Sequence, residues 1–327
     1  MGEKKNQVQT LNGKNNILKN QLFTVFIIMV ALIIFFAVST QGFFTVNNLY
    51  NLLQQISIIG IITVAQTFVI ITAGIDLSQG AIIGLTTIAS AGFMVDLALP
   101  IWFSILAGII VGAIVGAING ALIAYLKLPA FITTLGTMSI VESVALLVKG
   151  GNDIYNLPSA ISEFGRGGIA DVIPNIAIIM IVLAVIMHIV LKKTAFGRYV
   201  YAVGSNIQSA KFSGVKVNKV LFFVYLIGGV LCSIAGIVMM CRMNGGVAIA
   251  GKDYQMNSIS AVVIGGGSLF GGEGSIAGAM IGAFIMTILS NGLQIMGVSS
   301  YWQQLITGVV LVAAVLIDTF RRKKNLQ

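Results

Sequence analysis

The sequence predicts an all-α membrane protein, a polytopic bundle of about ten transmembrane helices. Hydrophobic residues make up 57% of the 327 residues, charged residues only 9%, and the mean hydropathy is +0.99. A soluble globular domain carries roughly 25% charged residues, so this composition cannot cover a water-facing surface. The apolar runs are continuous rather than alternating, which indicates helices and not a β-barrel.

Ten apolar segments define the predicted crossings, since a crossing needs ~20 apolar residues. They are residues 22–40, 49–73, 78–95, 101–125, 130–148, 175–191, 220–240, 257–271, 275–296 and 301–319. The segment at 257–271 is short and ends in glycines, so a re-entrant loop there, with eight or nine crossings in total, is an alternative. We expect a transmembrane domain at 22–319, between a polar tail at 1–21 and a second tail at 320–327.

The basic residues predict that both ends lie in the cytoplasm. With an N-in, C-in topology the cytoplasmic set is Lys4, Lys5, Lys14, Lys19, Lys127, Lys192, Lys193, Arg198, Lys211, Lys216, Lys219, Arg321, Arg322, Lys323 and Lys324. The outer set is only Lys149, Arg166, Arg242 and Lys252. Membrane proteins show this cytoplasmic excess of positive charge. The basic pI of about 9.6 is therefore attributed to topology and not to nucleic-acid binding.

One acidic residue interrupts the apolar sequence, in TAGIDLSQGA at residues 72–81. An ionised Asp at the centre of a membrane helix costs roughly 2.5–3.5 kcal/mol on insertion scales and rarely faces lipid. Gly74 and Gly80 flank Asp76, which predicts a break between two helices that is buried in protein or lines a water-filled cavity. Asp76 and Ser78 either start the next helix in a hairpin turn or lie on a transport path, and the two roles are compatible.

Polar side chains also follow one side of the segment at 49–73. They are Asn51, Gln55, Thr63 and Gln66. Polar residues that share one side of a spanning helix should point into the bundle. They either bond neighbouring helices, at ~0.6 kcal/mol each, or line a path for a hydroxylated solute, because amides both donate and accept hydrogen bonds.

Glu142 is a second intramembrane carboxylate, with Ser139 and Ser143 on the same helix face. An ionisable residue inside the membrane is by default a candidate functional residue, and we expect Glu142 to lie on the transport path. The alternative is a position near the outer end of its span, where Glu142 pairs with Lys149.

The longest loop on the basic side covers residues 192–219, KKTAFGRYVYAVGSNIQSAKFSGVKVNK. Its pattern predicts a short amphipathic helix around 206–213. Charges beside a membrane commonly reflect topology or lipid contacts. A helical loop bounded by glycines could instead dock into a partner, and composition does not decide between the two.

Five stretches resemble the membrane subunits of bacterial ABC importers of the ribose, xylose and galactose permease family. They are TAGIDLSQGA (72–81), LPAFITTLGTMSI (128–140), AVGSNIQSAKFSGV (202–215), ISAVVIGGGSLFGGEGS (259–275) and GVSSYWQQ (297–304). The likeness runs in order from about Leu22 to Asp318. It is specific for the family and not for one sugar.

The resemblance implies an assembly in the bacterial plasma membrane. Its partners are cytoplasmic ATP-binding subunits, an extracytoplasmic solute-binding protein and a second permease, as a homodimer or a heterodimer. The chain itself then holds no cofactor, because ATP and Mg²⁺ bind to the partner. The 202–215 loop becomes the element that couples to the ATPase. The residues matched there are Gly204, Asn206, Ala210 and Gly214, and Ala202 and Gln208 are assigned to the same coupling surface.

Two departures from the family pattern remove negative charge. Ile207 and Gln208 replace paired glutamates of the coupling loop. Gln255 and Asn257 replace two acids of a YELDAIAAVV segment, which reads YQMNSISAVV here. These losses of charge leave the identity of the ATPase and of the ligand open.

The sequence therefore predicts the permease subunit of an ATP-driven importer for a ribose-type monosaccharide or a similar polyhydroxylated solute. It contains no G-x-x-x-x-G-K-[ST] loop, so ATP hydrolysis is expected in a partner and the chain is not an enzyme. Importers of nucleosides or furanose-like signals within the same family are an alternative. A secondary transporter with ion sites at Asp76 and Glu142 would leave the coupling loop without a role. We predict no catalytic residue and no metal site.

Overall fold

The computed structural model of the protein describes residues 21–169 and 172–326. The helices of this part are α1 (Gln21–Ser39), α2 (Val46–Ile71), α3 (Gln79–Val95), α4 (Ile101–Ala124), α5 (Ala130–Leu147), α6 (Ser159–Arg166), α7 (Asn175–Lys193), α8 (Ala195–Ser205), α9 (Ile207–Phe212), α10 (Val217–Met243), α11 (Tyr254–Ile264), α12 (Ile276–Ile295) and α13 (Ser300–Leu326). Two short strands, β1 (Gly168–Ile169) and β2 (Ile173–Pro174), pair antiparallel. The predicted tail at 1–21 lies, apart from Gln21, outside the described residues. The predicted tail at 320–327 is largely helical, because α13 continues to Leu326.

Eight helices of the described chain are long and apolar enough to cross a membrane. They are α1, α2, α4, α5, α7, α10, α12 and α13. The apolar α3 has 17 residues, about 26 Å at 1.5 Å per residue, close to the ~30 Å of a hydrocarbon core. The helical crossing predicted at 257–271 is wrong, because α11 has only 11 residues and spans about 16 Å.

A non-helical segment at 244–253 precedes α11 and runs antiparallel to α3. Thr87 Oγ1 donates to Val247 O at 2.8 Å and accepts from Val247 N at 3.1 Å. Gly251 lies directly against Gly80, nearer the start of α3. Non-helical backbone is tolerated at membrane depth only where protein buries it, and α3 provides that cover. Among the described residues the chain thus passes ten times between the two ends of the bundle, counting α3 and this broken passage.

The central helix of the bundle is α2. Every residue from Ile56 to Ile71 is buried, and α2 packs against α7, α10, α11 and α12. Its buried polar residues, among them Thr63 and Gln66, therefore point into the bundle and not at lipid. By contrast, α1 and α13 expose large apolar side chains at the periphery, where lipid would cover them.

Glycines let α4 and α10 approach closely. Gly112 and Gly116 lie against Gly229, and Gly120 lies against Phe222. Glycine at this spacing lies on one helix face, and its missing side chain allows backbone contact where lipid gives no hydrophobic drive for association. Close packing of α4 on α10 therefore depends on these glycines.

Candidate functional site

The break between α2 and α3 is a tight turn at residues 72–78. Thr72 Oγ1 and Gly74 N both donate to Val69 O, at 2.8 and 3.0 Å, and Ala73 adopts a positive φ of 58°. Gly74 has no room for a side chain, because a Cβ there would lie 2.5 Å from the Tyr225 hydroxyl oxygen. The helix break predicted from TAGIDLSQGA is therefore present.

Asp76 is buried in this turn, with 2% of its surface exposed. Its Oδ1 accepts two hydrogen bonds from Ser78, one from the backbone N at 2.9 Å and one from Oγ at 2.6 Å. Ser78 is the N-cap residue of α3. The carboxylate therefore organises the start of α3 and faces away from lipid, in agreement with the burial that the sequence predicts.

Ser78 starts a chain of hydrogen bonds that joins three helices. Asn119 Nδ2 on α4 donates to Ser78 Oγ at 2.9 Å, and Thr137 Oγ1 on α5 donates to Asn119 Oδ1 at 2.7 Å. Thr134 Oγ1, also on α5, accepts from Leu77 N at 3.2 Å. We call Asp76, Ser78, Asn119, Thr134 and Thr137 the polar junction. It fixes the break relative to α4 and α5.

The other predicted path residues lie apart from the polar junction. Asn51 is exposed and Gln55 half-buried at the outer end of α2. Gln66 is fully buried, and neither amide atom has a partner among the described residues. Glu142 is half-buried on α5.

Lys149 does not pair with Glu142, contrary to the alternative considered from sequence. Its Nζ lies 2.6 Å from Asp96 Oδ1, between the outer ends of α5 and α3. Lys149 is therefore not the partner of Glu142. The position of Glu142 on a transport path stays a proposal.

Three members of the polar junction were not identified from the sequence. Asn119 is the one amide in α4, whose other residues are apolar except for Ser104, and that isolation was an available signal. Thr134 and Thr137 gave no such signal, because threonine in a membrane helix can bond its own backbone, as both also do here.

The basic-side loop folds into α8 and α9, so the helix predicted around 206–213 is confirmed. Asn206 caps α9, with its Oδ1 accepting from Ser209 N at 2.9 Å. Gly214 ends it with a positive φ of 82°, and Val215 N donates back to Ala210 O at 3.0 Å. A glycine in this left-handed conformation is a common helix terminator.

The two faces of α9 differ in exposure. Ala210 is buried against the bundle, whereas Phe212 is 87% and Ile207 48% exposed. Gln208 is also exposed. Ile207, Gln208 and Phe212 therefore form the exposed face of α9.

The basic-side loop at 192–219 contacts both the inner end of α2 and a glycine loop, defined here as residues 265–274. Gly204 lies against Ile71 O and Gly272 N, with no space for a side chain. Gly272 N donates to Ile71 O at 2.8 Å. Ala202 contributes its carbonyl, which accepts from Asn206 N at 3.1 Å. The loop, the glycine loop and the helix break are thus in direct contact.

Tyr201 adds a side-chain bond to the same contact. Its hydroxyl donates to Gly274 O at 2.7 Å. Burial raises the pKa of the Tyr201 phenol, so the hydroxyl keeps the proton that it donates. This bond links α8 to the glycine loop directly.

Comparison with known proteins gives the chain a family. Residues 48–315 match the family described as branched-chain amino acid transport system / permease component. The chain belongs to this family. It is 42% identical to the ribose import permease protein of Bacillus subtilis (strain 168) over 90% of each chain. It is 37% identical to the ribose import permease protein of Escherichia coli (strain K12) over 95% of this chain and 98% of that protein.

Relatives named for other sugars are also similar. The fructose import permease protein of Rhizobium meliloti is 39% identical over 91% of this chain and 85% of its own length. The xylose transport system permease protein of Haemophilus influenzae is 32% identical over 93% of this chain and 97% of its own length. No solved structure matches the chain. The family is a permease component, which moves a solute rather than converting it, and the resemblance stated from the sequence motifs is confirmed.

Proposed function

We propose that the chain is the permease subunit of an ATP-driven bacterial importer for a monosaccharide of the ribose type, located in the plasma membrane. The observation that carries this proposal is the likeness to ribose import permeases over at least nine-tenths of both chains. The similar values for fructose and xylose relatives support the class of polyhydroxylated sugars more strongly than a single member.

A separate subunit binds and hydrolyses ATP with Mg²⁺ in this proposal, because the chain has no phosphate-binding loop motif. The exposed face of α9, with Ile207, Gln208 and Phe212, is its docking surface. The contact from Gly204 to the inner end of α2 supports this assignment. It gives a movement of the loop a direct mechanical route to the break that holds Asp76.

The remaining partners follow from the transport cycle. A solute-binding protein delivers the sugar at the outer surface, and a second permease, identical or related, completes the passage. Binding of ATP and of the loaded binding protein would shift this pair between inward-open and outward-open states. Asn51 and Gln55 mark the outer part of the proposed path, Glu142 a position on α5, and Gln66, Asp76 and Ser78 the inner part.

Uptake by the reconstituted importer tests the proposal. The chain would be purified with the ATP-binding and solute-binding subunits of the same organism and placed in proteoliposomes. We expect ATP-dependent accumulation of labelled D-ribose, with competition by unlabelled ribose. Accumulation of a labelled nucleoside but of none of ribose, xylose and fructose would overturn the monosaccharide assignment.

A further inference from the structure

Two buried amides beside the polar junction have hydrogen-bonding atoms that the described chain does not use. Gln79, at the start of α3, is fully buried, and its Nε2 has no partner. Gln255, on α11, is 8% exposed, and its Oε1 has no partner. A buried polar group without a hydrogen bond costs free energy. Two such groups side by side therefore indicate that another molecule supplies their hydrogen bonds.

The two amides lie at one place, where α3, α5 and α11 meet. Gln255 Oε1 lies 3.2 Å from the position that a Cβ on Gly80 would take, the residue next to Gln79. Ser258 Oγ is 3.5 Å from Gln79 Oε1. Gln255 Nε2 donates to Met138 Sδ on α5 at 3.4 Å, a weak acceptor. One unused donor, one unused acceptor and a methionine therefore lie where these three helices meet.

The residues beside Gln255 are partly exposed. Met138 is half-buried and Met256 is 42% exposed. On α5, Ser139 next to Met138 is exposed. Gln255 itself is 8% exposed, so the two amides lie just beneath the surface of the chain.

The two unused atoms, one donor and one acceptor, indicate which chemical group binds between them. Gln79 Nε2 needs an acceptor and Gln255 Oε1 needs a donor. A hydroxyl group supplies both, whereas an anion offers no donor and an ammonium offers no acceptor. An apolar flank beside a few fixed polar groups is also the usual character of a small-molecule site.

We propose that Gln79 and Gln255 bind hydroxyl groups of a neutral polyhydroxylated solute as it passes between α3, α5 and α11. This inference rests on the proposed importer function and adds two residues to the path. Gln255 is also one of the positions where this chain carries an amide and the family pattern an acid, which makes it a candidate for selectivity.

Uptake by Leu variants of the whole reconstituted importer tests the site. For Gln79→Leu and Gln255→Leu we expect the maximal rate of ribose uptake to fall by about tenfold. Their thermal unfolding midpoints should stay unchanged or rise, because an unpaired buried amide is replaced by an apolar group. Ser260→Ala is the control: its buried hydroxyl bonds Met256 O of its own helix at 2.8 Å, and uptake should be unchanged. Normal uptake by both Leu variants would overturn the assignment.

Thiol labelling separates this inference from the proposed function. In a chain with Cys232 and Cys241 replaced by alanine, Gln255→Cys should react with the small water-soluble reagent MTSEA in membranes, and Ser260→Cys should not. If the wild-type importer moves none of the sugars but Cys at position 255 still reacts, the monosaccharide assignment fails and the polar site stands. If position 255 is unreactive, the site is overturned even where ribose uptake is normal.

Discussion

Asp76 is a buried carboxylate that hydrogen bonds hold in place. Both bonds to its Oδ1 come from Ser78, two residues further along the chain. The ion pair found among the described residues joins Lys149 to Asp96. It lies at the outer ends of α5 and α3, far from the break, and does not involve Asp76. The turn therefore supplies the donors that water would provide outside the membrane.

Two substitutions of Asp76 separate the hydrogen bonds from the charge. Asp76→Leu removes the acceptor and leaves Ser78 N buried and unpaired, which should destabilise the protein by about 1–3 kcal/mol. Asp76→Asn keeps an oxygen at the same position and should retain most of the stability. Thermal unfolding of the detergent-solubilised protein measures both. Equal losses in the two variants would contradict this account of the turn.

The sequence was informative about Asp76 and Ser78 because both lie in one contiguous motif. It was not informative about their partners. Asn119 is 41 residues from Ser78, and Thr134 is 57 residues from Leu77. Only the packing of α3 against α4 and α5 brings these groups together, and no local pattern records that packing.

At the scale of elements, the contact between α3 and the non-helical segment at 244–253 depends on glycine. Gly80 lies against the backbone at Gly251, and Gly84 lies against the carbonyl of Ala248. Side chains at these positions would force the two backbones apart and expose unpaired groups at membrane depth.

A matched pair of glycine substitutions tests this contact. Gly84→Ala should destabilise the protein by about 1–3 kcal/mol, because the added methyl group overlaps the Ala248 carbonyl. Gly136→Ala, on the open face of α5, should be neutral or stabilise the helix by up to about 1 kcal/mol. Thermal unfolding midpoints report both, and a stable Gly84→Ala variant would show that the contact is loose.

The long helices could be predicted from the sequence because each is a continuous apolar run. For the passage through α11, the sequence supported a re-entrant loop only as an alternative, and it did not predict the non-helical segment at 244–253. Its apolar residues resemble a helix in composition, but glycines interrupt the run, and the non-helical part is stable only because α3 covers it. That cover is a tertiary property.

The exposed end of α9 yields a prediction about assembly. Phe212→Asp should reduce co-purification of the ATP-binding subunit by about tenfold or more, because a large aromatic anchor becomes a charge. The permease alone should keep its unfolding midpoint, since Phe212 is 87% exposed. Phe320→Asp, an exposed aromatic at the cytoplasmic end of α13, is the control and should assemble normally. Normal assembly of the Phe212 variant would remove α9 from the docking surface.

At the scale of the whole molecule, three sequence motifs distant along the chain meet at the inner end of α2. The basic-side loop contributes Gly204, the glycine loop contributes Gly272, and the helix break starts directly after Ile71. The polar junction follows within a few residues. In the proposed cycle, a displacement of α8 and α9 would reach the end of α2 and the turn before α3 through this contact.

Gly204→Ala tests whether this contact transmits motion. The added methyl group overlaps Ile71 O, so the coupling loop must shift. We expect ribose uptake by the importer to fall by about tenfold while the ATP-binding subunit still co-purifies, a coupling loss of about 1.4 kcal/mol. Gly308→Ala on α13, where nothing lies within 4 Å, should leave uptake unchanged. Equal uptake in the two variants would contradict the coupling role of Gly204.

The central claim is that a partner's nucleotide cycle drives transport through the coupling loop. Uptake of labelled D-ribose into proteoliposomes, with and without the ATP-binding subunit, measures it most directly. We predict accumulation only when that subunit, ATP and the solute-binding protein are all present. Accumulation by the permease alone, driven by a proton or sodium gradient, would contradict the account.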